Sequence, residues 1–304
     1  METISPLTVH HMVLPLDGSR LAEAALPAGI ALAARLQARV TLLHVLERHP
    51  PATVHGERHL TNVEEAAAYL RGVSSRFADH QIAIESHVHP SPEGDVPVSI
   101  AQHVEELNTD LVVLCTHGHG GIRGWFSGSI AQRVVRRTTP PTLLVRPSRS
   151  DQPGFEPRTV MVALDGTEEG EAVLPAALAL ALAFDASISL FYAVPTLATV
   201  PGDKAAAARL TPSATAAALD LEQASAVEYV DHLGERLERS GVTVEGEVGR
   251  GSAAERLIAA SERFPDSVVA LATHGRAGFD AVWSGSVGAK VVTKASGPLL
   301  LVHP

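Results

Sequence analysis

The chain of 304 residues carries a single cysteine, Cys115. That excludes an intrachain disulfide and any cysteine-built zinc cluster, and it fits a reducing cytoplasm. Aromatic residues make up only 4%, so the core must be built from Ala, Val and Leu. The start, Met1 to Val9, lacks the basic stretch followed by an apolar one that marks a secretory leader. The longest apolar run, Ala172 to Phe184, has 13 residues and is interrupted by Pro175. It is too short to span a bilayer and predicts a buried helix. Lysine is absent from residues 1–150, where 13 Arg face 14 acids; residues 151–304 hold 11 bases against 20 acids. The first half is thus near neutral and the second strongly acidic. Neither is basic, which argues against a general nucleic-acid binder. There is no G-x-x-x-x-G-K-[ST] phosphate loop and no G-x-G-x-x-G dinucleotide fingerprint.

What is present is a duplication. His11-Met12-Val13-Leu14-Pro15-Leu16-Asp17-Gly18-Ser19 matches Thr159-Val160-Met161-Val162-Ala163-Leu164-Asp165-Gly166-Thr167. Val40 to Val45 matches Ile188 to Ala193. Leu114-Cys115-Thr116-His117-Gly118, nine residues, then Gly128-Ser129 matches Leu271-Ala272-Thr273-His274-Gly275, nine residues, then Gly285-Ser286. A net insertion falls in the second copy, around Thr196 to Leu221. The repeat is domain-sized, which predicts two tandem domains rather than a solenoid. The polar, Pro- and Gly-containing run Arg146 to Gly154 marks the joint. The expected division is residues 1–147, a linker over 148–157, and residues 158–304.

Each half alternates strands and helices. The run His11 to Leu16 is apolar throughout, as a strand buried on both faces should be. Asp17-Gly18-Ser19 ends it and can cap a helix over Leu21 to Gln37, which Pro27 should kink or delay. Further strands are expected at Arg39 to Leu46, Gln81 to Val88, Leu111 to Cys115 and Thr142 to Val145. Helices are expected at Val63 to Asp79, Val96 to Leu107 and Ser129 to Arg137, with Glu47 to Asn62 a polar segment. This alternation indicates an α/β fold with a parallel sheet covered on both faces. Ligands of such sheets sit beyond the carboxyl ends of the strands, where strand order reverses. Asp17 and the Gly118 loop follow two such ends.

A glycine turn leading to a glycine-serine helix start can wrap a phosphate in backbone N–H groups. Gly118 permits the turn, Gly128 admits the phosphate, and Ser129, Ile130 and Ala131 offer donors. Asp17 is an acceptor, suited to ribose hydroxyls or an adenine amino group. One copy of such a motif is a weak signal; two complete copies in the same order are a specific one.

With these motifs the chain resembles the universal stress protein family, as a tandem two-domain member. The strand ending in Leu-Asp-Gly-Ser or Leu-Asp-Gly-Thr, the Thr-His-Gly turn, the glycine-serine start and the last strands, Pro141 to Val145 and Pro298 to Val302, carry the likeness. The resemblance implies two Rossmann-like domains, each a five-stranded parallel sheet of order 3-2-1-4-5. It also implies ATP, with Mg²⁺ on its phosphates, held by Asp17, Val45, Gly118, Gly128, Ser129 and Ile130. The second set would be Asp165, Val194, Gly275, Arg276, Gly285, Ser286 and Val287. The family pattern has a further glycine where this chain has Cys115 and Ala272. Arg276, a cation placed to meet phosphate, favours the second site. The implied role is a stress-response regulator acting through conformation or partners, with slow ATP hydrolysis compatible. An interaction module that has lost the nucleotide, and an enzyme acting on a nucleotide, are the other readings. The resemblance further implies an intrachain pseudo-dimer through the last strands, with a homodimer as an extension.

Among other residues, twelve of the 15 histidines lie in the first half. His55 and His59 are spaced to share a helix face, and His87 and His89 a strand face; without a carboxylate or cysteine set they predict no metal site. His117 and His274 are as well suited to structural hydrogen bonds as to phosphate. Cys115 reads as a small buried residue, and Arg133, Arg136 and Arg137 as partners of a helix C-terminus. Val200 to Leu221 reads as a surface loop or a mobile cover over the second crevice.

Overall fold

The computed structural model describes residues 3–116, 130–147, 154–200, 202–273, 287–295 and 297–304. The chain divides into two compact units, Thr8–Glu156 and Met1–Leu7 with Pro157–Pro304. The residues before Thr8 therefore belong with the second repeat. There Leu7 N–H donates to the Pro175 carbonyl at 2.8 Å, and Ser240 Oγ donates to the Ile4 carbonyl at 2.8 Å.

In the first unit, β1 (His11–Pro15), β2 (Arg39–Glu47), β5 (Ile84–Glu93), β6 (Leu111–Cys115) and β7 (Thr142–Val145) form a parallel sheet in the order β5-β2-β1-β6-β7. In the second, β8 (Thr159–Leu164), β9 (Ser187–Val194), β10 (Val244–Arg250), β11 (Ser267–Ala272) and β12 (Leu299–Val302) repeat it as β10-β9-β8-β11-β12. Both are the expected 3-2-1-4-5 arrangement. β1 is buried at every residue and β8 at all but one, which is why these strands read as unbroken apolar runs.

The helices follow the pattern, with instructive departures. In place of one helix over Leu21 to Gln37 there are two, α1 (Arg20–Glu23) and α2 (Leu26–Leu36). Pro27 sits in the first turn of α2, where its missing N–H costs nothing, so it starts that helix rather than kinking a longer one. Gly29 lets α2 lie close on the sheet: a Cβ there would stand 2.4 Å from Leu14 Cδ2. The second repeat has the same pair, α6 (Glu168–Glu171) and α7 (Leu174–Phe184). Seven of the eleven residues of α7 are buried, so the 13-residue apolar run is a core helix as expected. Among the described residues no helix is long and apolar enough to cross a membrane.

The other first-unit helices are α3 (Val63–Ser75), α4 (Val96–Glu106) and α5 (Ile130–Val135). Two expectations shift. The polar segment before α3 contains a small hairpin, β3 (Thr53–Val54) and β4 (Glu57–Arg58). Its two turn residues, His55 and Gly56, both take positive φ, as a two-residue hairpin loop requires. His55 and His59 thus sit on a hairpin and its exit, not on a helix. β5 also begins three residues later than expected and runs on to Glu93.

The largest departure is in the second unit. The stretch read as a loop is helical, with α8 (Gly202–Leu210) followed by α9 (Pro212–Glu238), 27 residues long. Helices α10 (Ala253–Glu262) and α11 (Val287–Lys294) complete the α-helices among the described residues. The buried residues of α9 are Leu219, Ala226, Val230, Leu233 and Leu237, a narrow stripe on an otherwise polar helix. Gly246 of β10 makes room for it, since a Cβ there would meet Val230 Cγ1 at 2.5 Å.

Candidate functional site

β1 and β6 are neighbours with helices leaving in different directions, so their carboxyl ends bound a crevice at the switch point. In the first unit that crevice is a cavity of about 300 Å³. Its apolar wall includes Leu16, Leu21, Val45, Val96, Ile100, Leu114 and Ile130, and its polar groups include Asp17, His44, Glu47, His55, His59 and Cys115. The expected Asp17, Val45 and Ile130 are therefore brought together. Gly118, Gly128 and Ser129 lie outside the described residues, as does His117.

Asp17 is held by a local turn. Its Oδ1 accepts from Ser19 N–H at 2.9 Å and Ser19 Oγ at 2.6 Å, while Ser19 Oγ accepts from Ala22 N–H at 3.1 Å as the cap of α1. Gly18, at φ +93°, makes the turn possible. The other oxygen, Oδ2, lies 3.6 Å from His55 Nε2 on the hairpin. A parallel pair is His59 Nε2 with Glu47 Oε2 at 3.4 Å. The hairpin thus sets two imidazoles against two cavity carboxylates.

His44, at 2% exposure, is buried in this wall. Its Nδ1 lies 2.7 Å from the Leu16 carbonyl; a carbonyl only accepts, so Nδ1 carries the proton. Burial keeps His44 below the usual histidine range despite that bond. Nε2 is then a lone-pair acceptor, and it is buried without a partner. Cys115 also faces burial first and the Asp17 charge second, which push its thiol up to about 12. It is a small, partly buried residue whose surroundings disfavour the thiolate.

The second unit keeps the same turn: Asp165 Oδ1 accepts from Thr167 N–H at 3.0 Å and Thr167 Oγ1 at 2.7 Å, and Gly166 sits at φ +80°. What lies beside it differs. Leu16 is level with His44 along the first sheet, and Leu164 pairs Tyr192 in the second. The Tyr192 ring leans over the turn, within 3.3 Å of where a Gly166 Cβ would be, and its hydroxyl donates to the Asp165 carbonyl at 3.4 Å. Tyr229 of α9 stacks edge-on against it, with ring centroids 6.1 Å apart. Leu219 and Ala226 of α9 pack on Val194, with Tyr192, Val200 and Val248 around them. Val194, expected beside adenine, is 0% exposed. Arg250 at the end of β10 fastens this helix. Its Nη1 donates to the Leu219 carbonyl at 3.0 Å and to Gln223 Oε1 at 2.9 Å, and its Nη2 to Asp220 Oδ1 at 3.1 Å. Val287 begins α11, and Gly275, Arg276, Gly285, Ser286 and His274 lie outside the described residues.

Three participants were not singled out from the sequence. His44 hides inside an apolar strand. Glu47 looked like the first residue of a loop. Tyr192 occupies the His44 position of the repeat, and aligning the copies residue by residue exposes that exchange. Arg133, expected to serve its own helix end, instead pairs with Asp95, the N-cap of α4.

The two tandem Rossmann-like units, each a five-stranded parallel sheet, define the class as α/β. The chain belongs to the Universal stress protein family, whose profile matches residues 8–146 and 156–303. A universal stress protein of Mycobacterium tuberculosis is 25% identical over 338 aligned residues, covering 98% of each chain. A universal stress protein structure from Archaeoglobus fulgidus superposes with TM-score 0.68 at 16% identity, covering 98% of this chain and 97% of that one. A solved universal stress protein in complex with cAMP is 21% identical over 46% of this chain, with TM-score 0.36.

Proposed function

We propose that this chain is a cytoplasmic regulator that binds one adenine nucleotide, ATP, in its first-unit crevice and acts through conformation or partners. The observation that carries the reading is the cavity of about 300 Å³ between Asp17 and the start of α5, at the strand ends. It is large enough for a nucleoside, apolar enough for a base, and rimmed by acceptors for its hydroxyl and amino groups. Ile130 opens α5 beside it, so phosphates would extend toward Gly118, Gly128 and Ser129. Cys115 lies on the cavity wall as a small side chain, and the space persists beside it. Mg²⁺ would ride on the phosphates rather than on a protein cage, since among the described residues no three His, Cys, Asp or Glu can hold a metal ion.

The packing of Leu219, Ala226 and Tyr192 supports a single ligand per chain, in the first unit, despite the cation Arg276 in the second. The same packing favours the interaction-module reading for the second unit alone: a fold that keeps its turn but uses its own side chains in place of a ligand. Calorimetric titration of the intact protein with Mg-ATP tests the proposal. Saturable heat that Gly128→Val removes and Gly285→Val leaves is expected; no heat at millimolar nucleotide would sink it.

A further inference from the structure

The first-unit cavity has a cover. The β3–β4 hairpin is bonded within itself: Thr53 pairs with Arg58 and Val54 with Glu57, and His59 N–H donates to the Ala52 carbonyl at 3.3 Å. Its two ends are fixed. Before it, Arg48 N–H donates to the Glu93 carbonyl at 2.8 Å. After it, His59 is 7% exposed and pairs with Glu47, and Asn62 caps α3 by accepting from Glu65 N–H at 2.8 Å. Between these ends Pro51, Val54 and His55 form part of the cavity wall.

The tip of the hairpin is seated on the turn that carries Asp17. Glu57 Oε2 accepts from Arg20 N–H at 2.6 Å, and Glu57 Oε1 lies 3.7 Å from Arg20 Nε. Leu60 packs on the open side of Gly18, 2.9 Å from where a Cβ would stand. His55 Nε2 stands 3.6 Å from Asp17 Oδ2. The two oxygens of Asp17 are therefore used differently. Oδ1 accepts twice from Ser19 and fixes the turn. Oδ2 faces an imidazole that stays beyond hydrogen-bond reach, so a closer donor can take its lone pairs.

We propose that the β3–β4 hairpin is a gate over the first-unit cavity, and that His55 holds the place at Asp17 Oδ2 which a ligand hydroxyl takes on entry. The ligand that opens it carries neighbouring hydroxyls, as a ribose does. That part of the proposal rests on the nucleotide reading; the gate itself does not. The backbone of the tip argues the same way. Residue 55 sits at φ +51°, where Asn or Gly is the favoured first residue of a two-residue loop. The position gives up turn stability for an imidazole over Asp17.

The seat is weak enough to open. The Arg20 side chain is 93% exposed and that of Glu57 39%, and a solvated ion pair of this kind shifts an equilibrium by no more than about fivefold. A closed gate lowers apparent affinity by the fraction of open molecules, so loosening it should tighten binding. Cys115 reports on the opening, because it lies on the wall of the same cavity and is the single cysteine of the chain.

Alkylation of Cys115 by iodoacetamide in the intact protein, without nucleotide, tests the gate. His55→Asn removes the ring while suiting the turn, and Glu57→Ala unseats the tip. Each should speed labelling about threefold, and the two together about tenfold, with the urea midpoint of the first unit unchanged. Rates within about 1.5-fold of wild type in all three would show a fixed wall and overturn the gate, as would a rise that merely follows a lowered midpoint. Calorimetry with Mg-ATP tests the place held by His55. His55→Asn should bind about threefold tighter than wild type, because nothing then has to leave Asp17; weaker binding would overturn that role. No heat from any form would sink the nucleotide reading, and the labelling would still decide the gate.

Discussion

The two crevices start from the same turn and end differently. In the first, Leu-Asp-Gly-Ser leads into a cavity edged by histidines, with His44 beside the turn. In the second, Leu-Asp-Gly-Thr leads under a tyrosine, and α9 packs Leu219 and Ala226 on Val194. A single exchange in the duplicated frame, His44 for Tyr192, goes with the difference, and the inserted segment completes it. A filled crevice is a packed core: covering Val194 with Leu219 contributes roughly 2 kcal/mol of apolar burial that an open site would forgo until a ligand arrived.

The largest contrast should be chemical. Cys115 sits where the second unit has Ala272, and its thiol is raised from the ordinary 9.0 to about 12. At pH 8 its thiolate fraction should be about a thousandfold below that of an unstructured cysteine, so alkylation of the native protein should be slow and should accelerate sharply in urea. Fast native labelling would show that the wall is open to solvent and charge-stabilised.

Binding comes next. Asp17→Ala should weaken ATP roughly 10–100-fold through loss of a charged acceptor, whereas Asp165→Ala should leave affinity within about twofold. Calorimetry reads both, and equal losses would erase the asymmetry. Leu219→Ala should destabilise the second unit by about 2–3 kcal/mol in urea melts, as a large-to-small change in a packed cluster does. If it costs nothing, α9 is not sealing that crevice.

The pH response should also separate the halves. Because His44 is held below its ordinary value, the unfolded chain binds its proton first, and stability is lost as pH falls below about 6.5. Histidine and tyrosine differ here, so His44→Tyr, copying the second unit, should flatten the slope of first-unit unfolding between pH 6.5 and 5. An unchanged slope would place the acid sensitivity elsewhere. The smallest effect is expected for Arg250→Ala, about 1 kcal/mol, since its hydrogen bonds to α9 are partly solvated. Amide exchange should quicken around residues 212–223 and hardly elsewhere.

Strand identity and the tandem repeat were readable because buried parallel strands are short apolar runs and the copies confirm each other, whereas strand order came only with the family resemblance. The Asp17 turn was readable for a local reason, since Asp-Gly-Ser supplies the acceptor, the positive φ and the cap within three residues. The hairpin at His55 was not, because its strands are two residues each and its only mark is a glycine after a turn residue. The helical insertion was missed because Pro201, Gly202 and Pro212 read as breakers. Gly202 begins α8 and Pro212 sits in the first turn of α9, where proline is tolerated. The histidine cluster was half visible: the spacing put His87 and His89 on one face, but only the packing of α4 brings His103 to them.

Native mass spectrometry of the intact chain with Mg-ATP most directly tests the claim of one open and one self-filled crevice. The account predicts a single nucleotide per chain, with occupancy reduced in Asp17→Ala and kept in Asp165→Ala. Two nucleotides per chain, or one that depends on Asp165 and not on Asp17, would contradict it.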